Sequence, residues 1–388
     1  MKPADTQFDV VIVGAGLAGL IQYRALEARG FTPFLIDPRD EAALRGSNGD
    51  RRATTLTAQS VESLGLPDDW LAEHGQRVNE MIVDGGQTTT LEPETSLRLE
   101  SGAWVVSNND LVRWLLKDDR LKGAFGGSVV SMNLSDGHRV LETQSGAQIT
   151  ARLVIAADGK NSFLRRKEGL QRHLRDFAQT ALTGEIEHAE DHQGRAFQRF
   201  LPGGTLAFLP LPGNGKRSSF IWVEPTAKAK DFFALTPEIL IGQMAERFGG
   251  TLGGLSVPDD ATWGHYPLTA HHCERIVSDR LALIGEAAHS MLPLAGLGLN
   301  MTIKDVGALT DVLTEQRRHG LDLGVEHALE DYSRARRVET ARVTALTTGL
   351  HDVLDKGPAP LRAVAASGLT LLDRFKPLKA MLEREANR

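Results

Sequence analysis

The stretch FDVVIVGAGLAG, residues 8–19, decides the fold of this chain. Its first six residues are rich in β-branched side chains, as in a buried strand, and glycines follow at once. From Leu17 to Arg29 apolar residues recur at helical spacing, and Gly30 stops the helix. Residues 33–37 then read as a second buried strand. Strand, helix and strand in this order predict a βαβ unit, the opening of a doubly wound parallel sheet.

The glycines of this stretch match the pattern GxGxxG, in which each glycine has its own task. The first permits a tight turn, the second lets a pyrophosphate approach the backbone, and the third allows the helix to pack closely. The N-terminus of the helix attracts phosphate charge, and an acid at the end of the second strand can bind ribose hydroxyls. The unit alone does not separate FAD from NAD. The predicted dinucleotide-binding residues are Gly14, Gly16, Leu17, Ala18, Gly19 and Asp37.

Two later segments have the form of a buried strand that ends in an acid. Residues 153–159 end in Asp-Gly, and residues 280–289 carry Gly-Glu just past the strand, before a glycine-rich helix start at 293–300. An acid at the carboxyl edge of a parallel strand can bind the ribityl hydroxyls of a flavin. Backbone N–H groups at the helix start suit a pyrimidine carbonyl or a developing anion. These segments add Asp158, Gly285, Glu286, Gly296, Gly298, Leu299 and Asn300 to the predicted cofactor site.

The middle of the chain has a different pattern, with short alternating strands separated by Pro/Gly turns. The clearest strands are Ala196–Leu201, Thr205–Leu209 and Ser218–Val223, whose aromatic residues either line a pocket or fill a core. We therefore expect an α/β fold: a Rossmann-type FAD-binding domain, an inserted antiparallel β-sheet substrate domain and a helical C-terminus. The predicted limits are 1–74, 103–178 and 271–345 for the FAD-binding domain, 75–102 and 179–270 for the substrate domain, and 346–388 for the C-terminal helical segment.

Composition excludes several other classes of protein. The chain has 44 basic and 50 acidic residues, which argues against a nucleic-acid partner. Cys273 is its single cysteine, so neither an intrachain disulfide nor a multi-cysteine metal site can form, and no metal is expected. The first apolar run lacks a basic region and a cleavage site, and no stretch approaches the ~18 apolar residues of a membrane span. The expected location is cytoplasmic.

In order and spacing the three motifs resemble the FAD-dependent aromatic monooxygenases of the p-hydroxybenzoate hydroxylase fold, and above all the ubiquinone-biosynthesis hydroxylases. The resemblance extends over nearly the whole chain, including the strands of residues 195–212. Residues 51–56, RRATTL, look like the family's Arg-Ala segment, whose arginine, here Arg52, lies near the flavin. Residues 106–111, VSNNDL, look like the segment in which a polar residue, here Asn108, contacts the cofactor.

The resemblance implies an enzyme that holds FAD, takes electrons from NAD(P)H as a transient reductant, and uses O2 to hydroxylate an electron-rich aromatic ring. The cofactor supplies the difficult chemistry, and the protein orients the ring and excludes water. Pro293 is the candidate catalytic residue, since with residues 296–300 it would frame the reactive face of the flavin. His289 is interpreted as a buried, hydrogen-bonded histidine rather than as an acid or base.

Three positions depart from the family pattern. Glu286 stands where the family usually has Asp, Leu292 where it often has His, and Leu297 where it often has Gln. The two leucines make the surface near the flavin more apolar, which favours a lipophilic substrate. The leading hypothesis is C-hydroxylation of a polyprenyl phenol in ubiquinone biosynthesis.

Three alternatives concern the activity and the partners. The substrate could be a soluble phenol or a secondary metabolite, and the protein could instead be a non-catalytic FAD-binding component of a biosynthetic complex. The arginines between residues 334 and 342 form a basic segment, and the last 30 residues place apolar side chains among basic ones. A solvated face and internal packing are the default interpretations of these segments. The alternative hypothesis is that these segments make peripheral membrane contact or assemble with other ubiquinone-biosynthesis proteins.

Overall fold

The computed structural model describes residues 6–46, 52–86, 91, 96–117, 121–201, 203–232, 234–260, 263–292 and 296–353. Its strands are β1 Thr6–Val13, β2 Phe34–Asp37, β3 Ala53–Leu56, β4 Gly75–Arg77, β5 Glu80–Asp84, β6 Leu97–Glu100, β7 Trp104–Ser107, β8 Gly123–Phe125, β9 Val129–Ser135, β10 His138–Thr143, β11 Gln148–Ala156, β12 Arg172–His188, β13 Arg195–Leu201, β14 Gly204–Pro210, β15 Arg217–Pro225, β16 Leu255–Ser256, β17 Gly264–Cys273, β18 Val277–Ser278, β19 Leu281–Leu283 and β20 His289–Ser290. Its α-helices are α1 Leu17–Ala28, α2 Glu41–Arg45, α3 Ala58–Leu64, α4 Asp68–His74, α5 Asn108–Leu115, α6 Phe163–Lys167, α7 Thr226–Phe232, α8 Pro237–Phe248, α9 Leu297–Arg318 and α10 Glu326–His351.

An eight-stranded sheet contains the predicted βαβ unit. Its strand order is β18-β19-β11-β1-β2-β8, with β10 paired to β11 and β9 to β10. The four pairs from β19 to β8 are parallel. In the register, Val13 lies opposite Ile36 and Ala156, and Ala156 lies opposite Leu283. The carboxyl ends of β2, β1, β11 and β19 therefore form one row, which is where ligands bind in open α/β sheets.

A nine-stranded sheet forms the second layer, in the order β20-β17-β12-β15-β14-β13-β5-β6, with β16 paired to β12. Its pairs are antiparallel except that β5 runs parallel to β13. One face packs on α8: Phe208, Phe220 and Trp222 form a buried cluster with Met244 and Phe248. Because side chains alternate along a strand, the residues between these aromatics lie on the opposite face. That face is free of α8 and lines a cavity.

The predicted fold class is confirmed, with two refinements. The structure has parallel and antiparallel sheets together with C-terminal helices, and three predicted substrate-domain strands lie within two residues of β13, β14 and β15. The parallel pairing of β5 with β13 was not foreseen. β4 belongs to a third, small sheet, β3-β7-β4, and not to the nine-stranded one. The domain limits stay predictions.

Two long helices follow the glycine-rich segment. α9 packs against α1 and α10, and Gln22 of α1 donates a hydrogen bond to Thr310 Oγ1 of α9 at 2.9 Å. The buried Tyr332 of α10 donates its hydroxyl to the Leu283 carbonyl at 2.7 Å, which ties α10 to the end of β19. Of the helices described, none is both long and apolar enough to cross a membrane. Residues 354–388, which make up most of the predicted C-terminal helical segment, lie outside the described part of the chain.

The His271–Cys273 segment of β17 gives a prediction about thiol reactivity. Cys273 is 5% exposed, and burial raises the pKa of its thiol to about 11, although Arg165 and Arg172 act in the opposite direction. At pH 8 we expect the native protein to react with a disulfide reagent at least about a hundredfold more slowly than the urea-unfolded chain, since the thiolate is the nucleophile. Stopped-flow absorbance measures both rates. Equal rates would show that the thiol is accessible.

Candidate FAD and substrate site

A cavity of about 420 Å³ lies between the row of strand ends and the open face of the nine-stranded sheet. The wall on the side of the strand ends includes nine of the fifteen predicted cofactor residues: Gly16, Leu17, Ala18, Arg52, Asn108, Glu286, Gly296, Gly298 and Leu299. The wall on the sheet side includes Met81, Thr183, Gln198, Ala207, Leu209, Ile221, Tyr266 and Leu268. The structure thus brings the sequence motifs and the predicted substrate-domain strands to a single space.

The three glycines of the first motif have different surroundings. Gly14 has φ +105°, and a Cβ there would lie 2.3 Å from the Ala157 carbonyl oxygen. A Cβ on Gly19 would lie 1.8 Å from the Gly14 carbonyl oxygen. Gly16 has no atom within 4 Å of its Cβ position and lines the cavity. The fold itself therefore requires Gly14 and Gly19, whereas Gly16 leaves room for a ligand beside the start of α1.

Asp37 is held in its charged form by its neighbours. Its Oδ2 accepts the Ala15 N–H at 2.6 Å, and the Arg39 guanidinium bonds both carboxylate oxygens. Burial alone would raise the pKa of the Asp37 carboxyl, but these bonds outweigh it and lower the pKa. Arg39 was missed in the sequence analysis, although an arginine two residues after a strand-end acid is a readable signal. The ribose role of Asp37 stays a prediction.

On the motif side of the cavity, Asp158 and Thr55 each have a buried oxygen with no hydrogen-bond partner among the described residues. Asp158 accepts the Leu164 N–H with Oδ2 at 3.2 Å, but its Oδ1 has no partner. Thr55 lines the cavity, and its Oγ1 is likewise without a partner. Buried polar atoms are nearly always hydrogen-bonded, so unsatisfied oxygens beside a cavity fit a ligand rich in hydroxyl and N–H groups. The residues present therefore fit FAD.

Glu286 projects into the cavity from a short 3₁₀ turn, Gly285–Ala287, just past β19. Lys160, which follows the Asp-Gly pair at the end of β11, lines the same cavity. Burial lowers the pKa of Lys160, and the Glu286 charge opposes that shift. The negative charge of Glu286 and the positive charge of Lys160 therefore lie close enough to interact within the cavity.

Arg52 and Asn108 lie together where β3 meets the start of α5. The Asn108 N–H donates to the Arg52 carbonyl at 3.0 Å, and Asn108 Oδ1 accepts the Thr54 hydroxyl at 2.5 Å. The Arg52 guanidinium lies 5.8 Å from the ring centre of Tyr266, on β17. Arg52 therefore connects the cofactor side of the cavity to the sheet side.

Other predicted residues are engaged elsewhere or cannot be assessed. The Asn300 amide donates to the carbonyls of Thr55 and Gly296, both at 2.8 Å, and accepts the Thr57 N–H at 3.1 Å. Its side chain therefore ties β3 to the start of α9, and its cofactor role stays a prediction. Pro293 lies outside the described residues. Of the two leucines that depart from the family pattern, Leu292 lines the cavity, while Leu297 is not among its lining residues.

His289 agrees with its interpretation as a buried, hydrogen-bonded histidine. It is 4% exposed, and its Nε2 lies 2.6 Å from Oδ2 of Asp305, a carboxylate that is fully buried on α9. Arg336 of α10 donates to Asp305 Oδ1 at 2.8 Å. Burial would raise the pKa of Asp305, but His289 and Arg336 outweigh it and hold that pKa below its ordinary range.

The sequence analysis missed Asp305 and misjudged Arg336. The default interpretation placed Arg336 on a solvated face with Arg334 and Arg337, yet Arg336 is only 4% exposed. The available signal was an acid at position 305, the one charged residue on the buried face of α9 among the described residues. Its basic partner lies 31 residues later in the chain, on the next helix.

Comparison with known proteins identifies the family. A family model described as a FAD binding domain matches residues 7–347. The chain belongs to this family. It is 33% identical over 390 residues to the ubiquinone hydroxylase UbiL of Rhodospirillum rubrum, with 99% of this chain and 90% of the relative covered. It is 29% identical to 3-demethoxyubiquinol 3-hydroxylase of Escherichia coli, with 96% of each covered.

Among solved structures, the p-nitrophenol 4-monooxygenase PnpA of Pseudomonas putida superimposes with a TM-score of 0.79 at 18% identity, covering 99% of both chains. At that identity the similarity establishes the fold, which is the p-hydroxybenzoate hydroxylase fold of FAD-dependent monooxygenases. The cofactor of this FAD-binding-domain protein is FAD. At the cavity edge formed by the three motifs, Gly16 leaves open backbone, and Thr55 and Asp158 have unsatisfied oxygens that fit this cofactor. The individual binding residues stay predictions.

The glycine geometry predicts two distinct defects. Gly16→Ala should leave the fold and melting temperature of the FAD-free chain unchanged, because its Cβ meets nothing, yet weaken FAD binding by about tenfold or more. Gly19→Ala should destabilise the FAD-free chain itself, because its Cβ overlaps the Gly14 carbonyl oxygen. Differential scanning fluorimetry and flavin-fluorescence titration separate the two effects. Unchanged FAD affinity in Gly16→Ala would place the pyrophosphate elsewhere.

Proposed function

We propose that this protein is a FAD-dependent aromatic hydroxylase of ubiquinone biosynthesis, using NAD(P)H and O2 to hydroxylate a ring carbon of a lipophilic, polyprenylated phenol. The observation that carries the proposal is the cavity, which joins the FAD-binding motifs to an open sheet face. The two curated relatives, each named as a hydroxylase of a ubiquinone or ubiquinol, support the substrate class.

The lining of the sheet side favours an apolar substrate. It is made largely of aliphatic side chains: Met81, Ala207, Leu209, Ile221, Leu268 and Leu292. Thr183 is polar, but its hydroxyl donates to the Phe220 carbonyl at 3.0 Å and is therefore engaged. Thr269 differs, since its Oγ1 is buried with no hydrogen-bond partner among the described residues. An apolar wall with one unsatisfied hydroxyl suits a ring that carries a single polar group and an alkyl chain.

The chain's own residues bind, orient and exclude water. Bound FAD supplies electron transfer from the nicotinamide and activation of O2. The start of α1 receives the phosphate charge at Gly16. Thr269 orients the phenol through its hydroxyl, and the aliphatic wall keeps water from the reacting ring. Pro293, outside the described residues, remains a proposed neighbour of the flavin.

The alternatives differ in what supports them. A soluble phenol would leave the aliphatic wall without an apolar partner, so the cavity favours the lipophilic substrate. A non-catalytic role would leave unexplained a substrate-sized space beside the FAD motifs. Membrane contact would bring a lipophilic phenol to the protein, and α10 exposes Val338 and Leu346 on the same helix as Arg337 and Arg342. We therefore keep a membrane surface, besides the phenol and O2, as a proposed partner.

Reduction of the bound FAD tests the function. We expect NADH or NADPH to bleach the flavin absorbance faster when a prenylated phenol is present, and aerobic turnover to yield the ring-hydroxylated product by mass spectrometry. A matched phenol without the prenyl chain is the control and should stimulate less. Stronger stimulation by that control would favour the soluble-phenol alternative. Flavin that neither nicotinamide reduces, across a panel of phenols, would favour the non-catalytic one.

Thr269 gives a prediction about substrate recognition. Thr269→Val keeps the volume but removes the hydroxyl, so the KM for the phenol should rise about tenfold, the cost of about one lost hydrogen bond. FAD affinity should not change. Thr150→Val, on β11 away from the cavity, is the matched control and should leave KM unaltered. An unchanged KM in Thr269→Val would mean that the phenol hydroxyl binds another group.

A further inference from the structure

The turn that carries Glu286 is held at its first residue by a buried carboxylate. The Gly285 N–H donates to Asp305 Oδ2 at 3.0 Å, and His289 bonds the same oxygen. Arg336 occupies the other carboxylate oxygen and bonds Glu339 as well. Asp305 is fully buried, so its orientation is fixed from both sides by charged partners. The start of the turn is therefore tied through α9 to α10.

A second contact to the turn comes from β17. The Nε2 of His271 lies 3.1 Å from the Glu286 carbonyl oxygen. A carbonyl only accepts hydrogen bonds, so Nε2 must carry the proton. The His271 ring is 1% exposed, and burial, reinforced by the charges of Arg172, Arg165 and His289, lowers its pKa to about 3. His271 is therefore neutral at physiological pH, and its Nδ1 is a bare acceptor with no hydrogen-bond partner in the described part of the chain.

The next two carbonyls of the segment are occupied too. Arg165 Nη1 of α6 donates to the Ala287 carbonyl at 2.9 Å, and the Cys273 N–H of β17 donates to the Ala288 carbonyl at 2.9 Å. Each of the four residues from Gly285 to Ala288 therefore has a backbone group that is hydrogen-bonded to a residue of α9, β17 or α6. A site is held in its productive geometry by such supporting bonds rather than by the contacting side chain alone.

We infer that His271 and Asp305 are positioning residues, which clamp the turn Gly285–Ala287 from two different elements, β17 and α9, and thereby fix the Glu286 side chain toward FAD. The inference rests on the proposed cofactor role of Glu286. Glutamate has one more rotatable bond than aspartate, so ordering its carboxylate costs more conformational entropy. A rigid backbone limits that cost, because only side-chain torsions remain to be fixed on binding.

FAD affinity of the full-length protein, measured by titrating the FAD-free chain with flavin, is the first test. His271→Phe removes the donor but keeps a ring, and should weaken FAD binding about tenfold. His271→Gln places an amide N–H near the former Nε2 and should restore most of the affinity. His272→Phe is the matched control, because the His272 ring lies beside His173, with 5.0 Å between the ring centres. The FAD affinity of this variant should equal that of the parent. Equal affinity in His271→Phe and the parent would overturn the clamp.

A double-variant cycle separates failure of the clamp from failure of the underlying assignment. In a Glu286→Ala background, His271→Phe should change FAD affinity by less than about twofold, because the side chain that it positions is absent. If Glu286→Ala alone leaves the affinity unchanged, the proposed role of Glu286 is wrong. If Glu286→Ala weakens binding but the two changes are additive, the assignment holds and the clamp is wrong.

Nitrogen NMR of ¹⁵N-histidine-labelled native protein tests the geometry without a variant, should His271→Phe fail to fold. His271→Gln, which loses one pair of ring nitrogen resonances, assigns the signals. We expect a neutral ring with the proton on Nε2 throughout pH 6 to 8. A neutral ring that carries its proton on Nδ1 could not donate to the Glu286 carbonyl, and the clamp would be excluded.

Discussion

The parallel register of four strands is the constraint on which the rest of this structure depends. Val13, Ile36, Ala156 and Leu283 lie side by side, and the ladder continues one step beyond them. The Gly14 N–H bonds the Ile36 carbonyl, Ala157 bonds Val13, and Ile284 bonds Ala156, at 2.8 to 3.0 Å. Motifs more than a hundred residues apart in sequence thus become neighbours, and a slip of one residue in any strand would separate them.

The second constraint is the two-sided use of the nine-stranded sheet. With a period of two, Phe220 and Trp222 enter the core under α8, while Ile221 between them faces the cavity. The aromatic residues that stand out in the sequence are therefore mostly core, and smaller aliphatic residues form most of the substrate-facing wall. Phe197 alone among the five aromatics on these predicted strands also borders the cavity. The composition of the wall could not be read from the sequence until the register of these strands was known.

The fold and the cofactor edge could be predicted because their signals are local. A buried strand, glycines at fixed offsets and a strand-end acid all lie within residues 8–37, so propensity and spacing suffice. The clamp could not be predicted, because it depends on packing between elements. His271, Asp305 and Arg336 belong to β17, α9 and α10. The acid on the inward face of α9 was a local signal for Asp305, but nothing local identified its partners or distinguished His271 and Arg336 from a strand histidine and a solvated helix charge. The parallel pairing of β5 with β13 joins residues more than a hundred positions apart and has no local signal either.

The surroundings of the turn Gly285–Ala287 differ in chemistry for a physical reason. Behind it, Asp305 is buried with His289 and Arg336, and a buried charge is tolerated only when it is paired and hydrogen-bonded. Replacing such a network by apolar side chains is often neutral or stabilising, so stability alone does not explain its presence. The network instead fixes the orientation of the Gly285 backbone, because hydrogen bonds to a charged group are directional and dispersion contacts are not. The sheet side of the cavity is an aliphatic wall, whose contacts orient a lipophilic ring only weakly. The hydrogen-bonded turn must therefore provide the fixed geometry of the site.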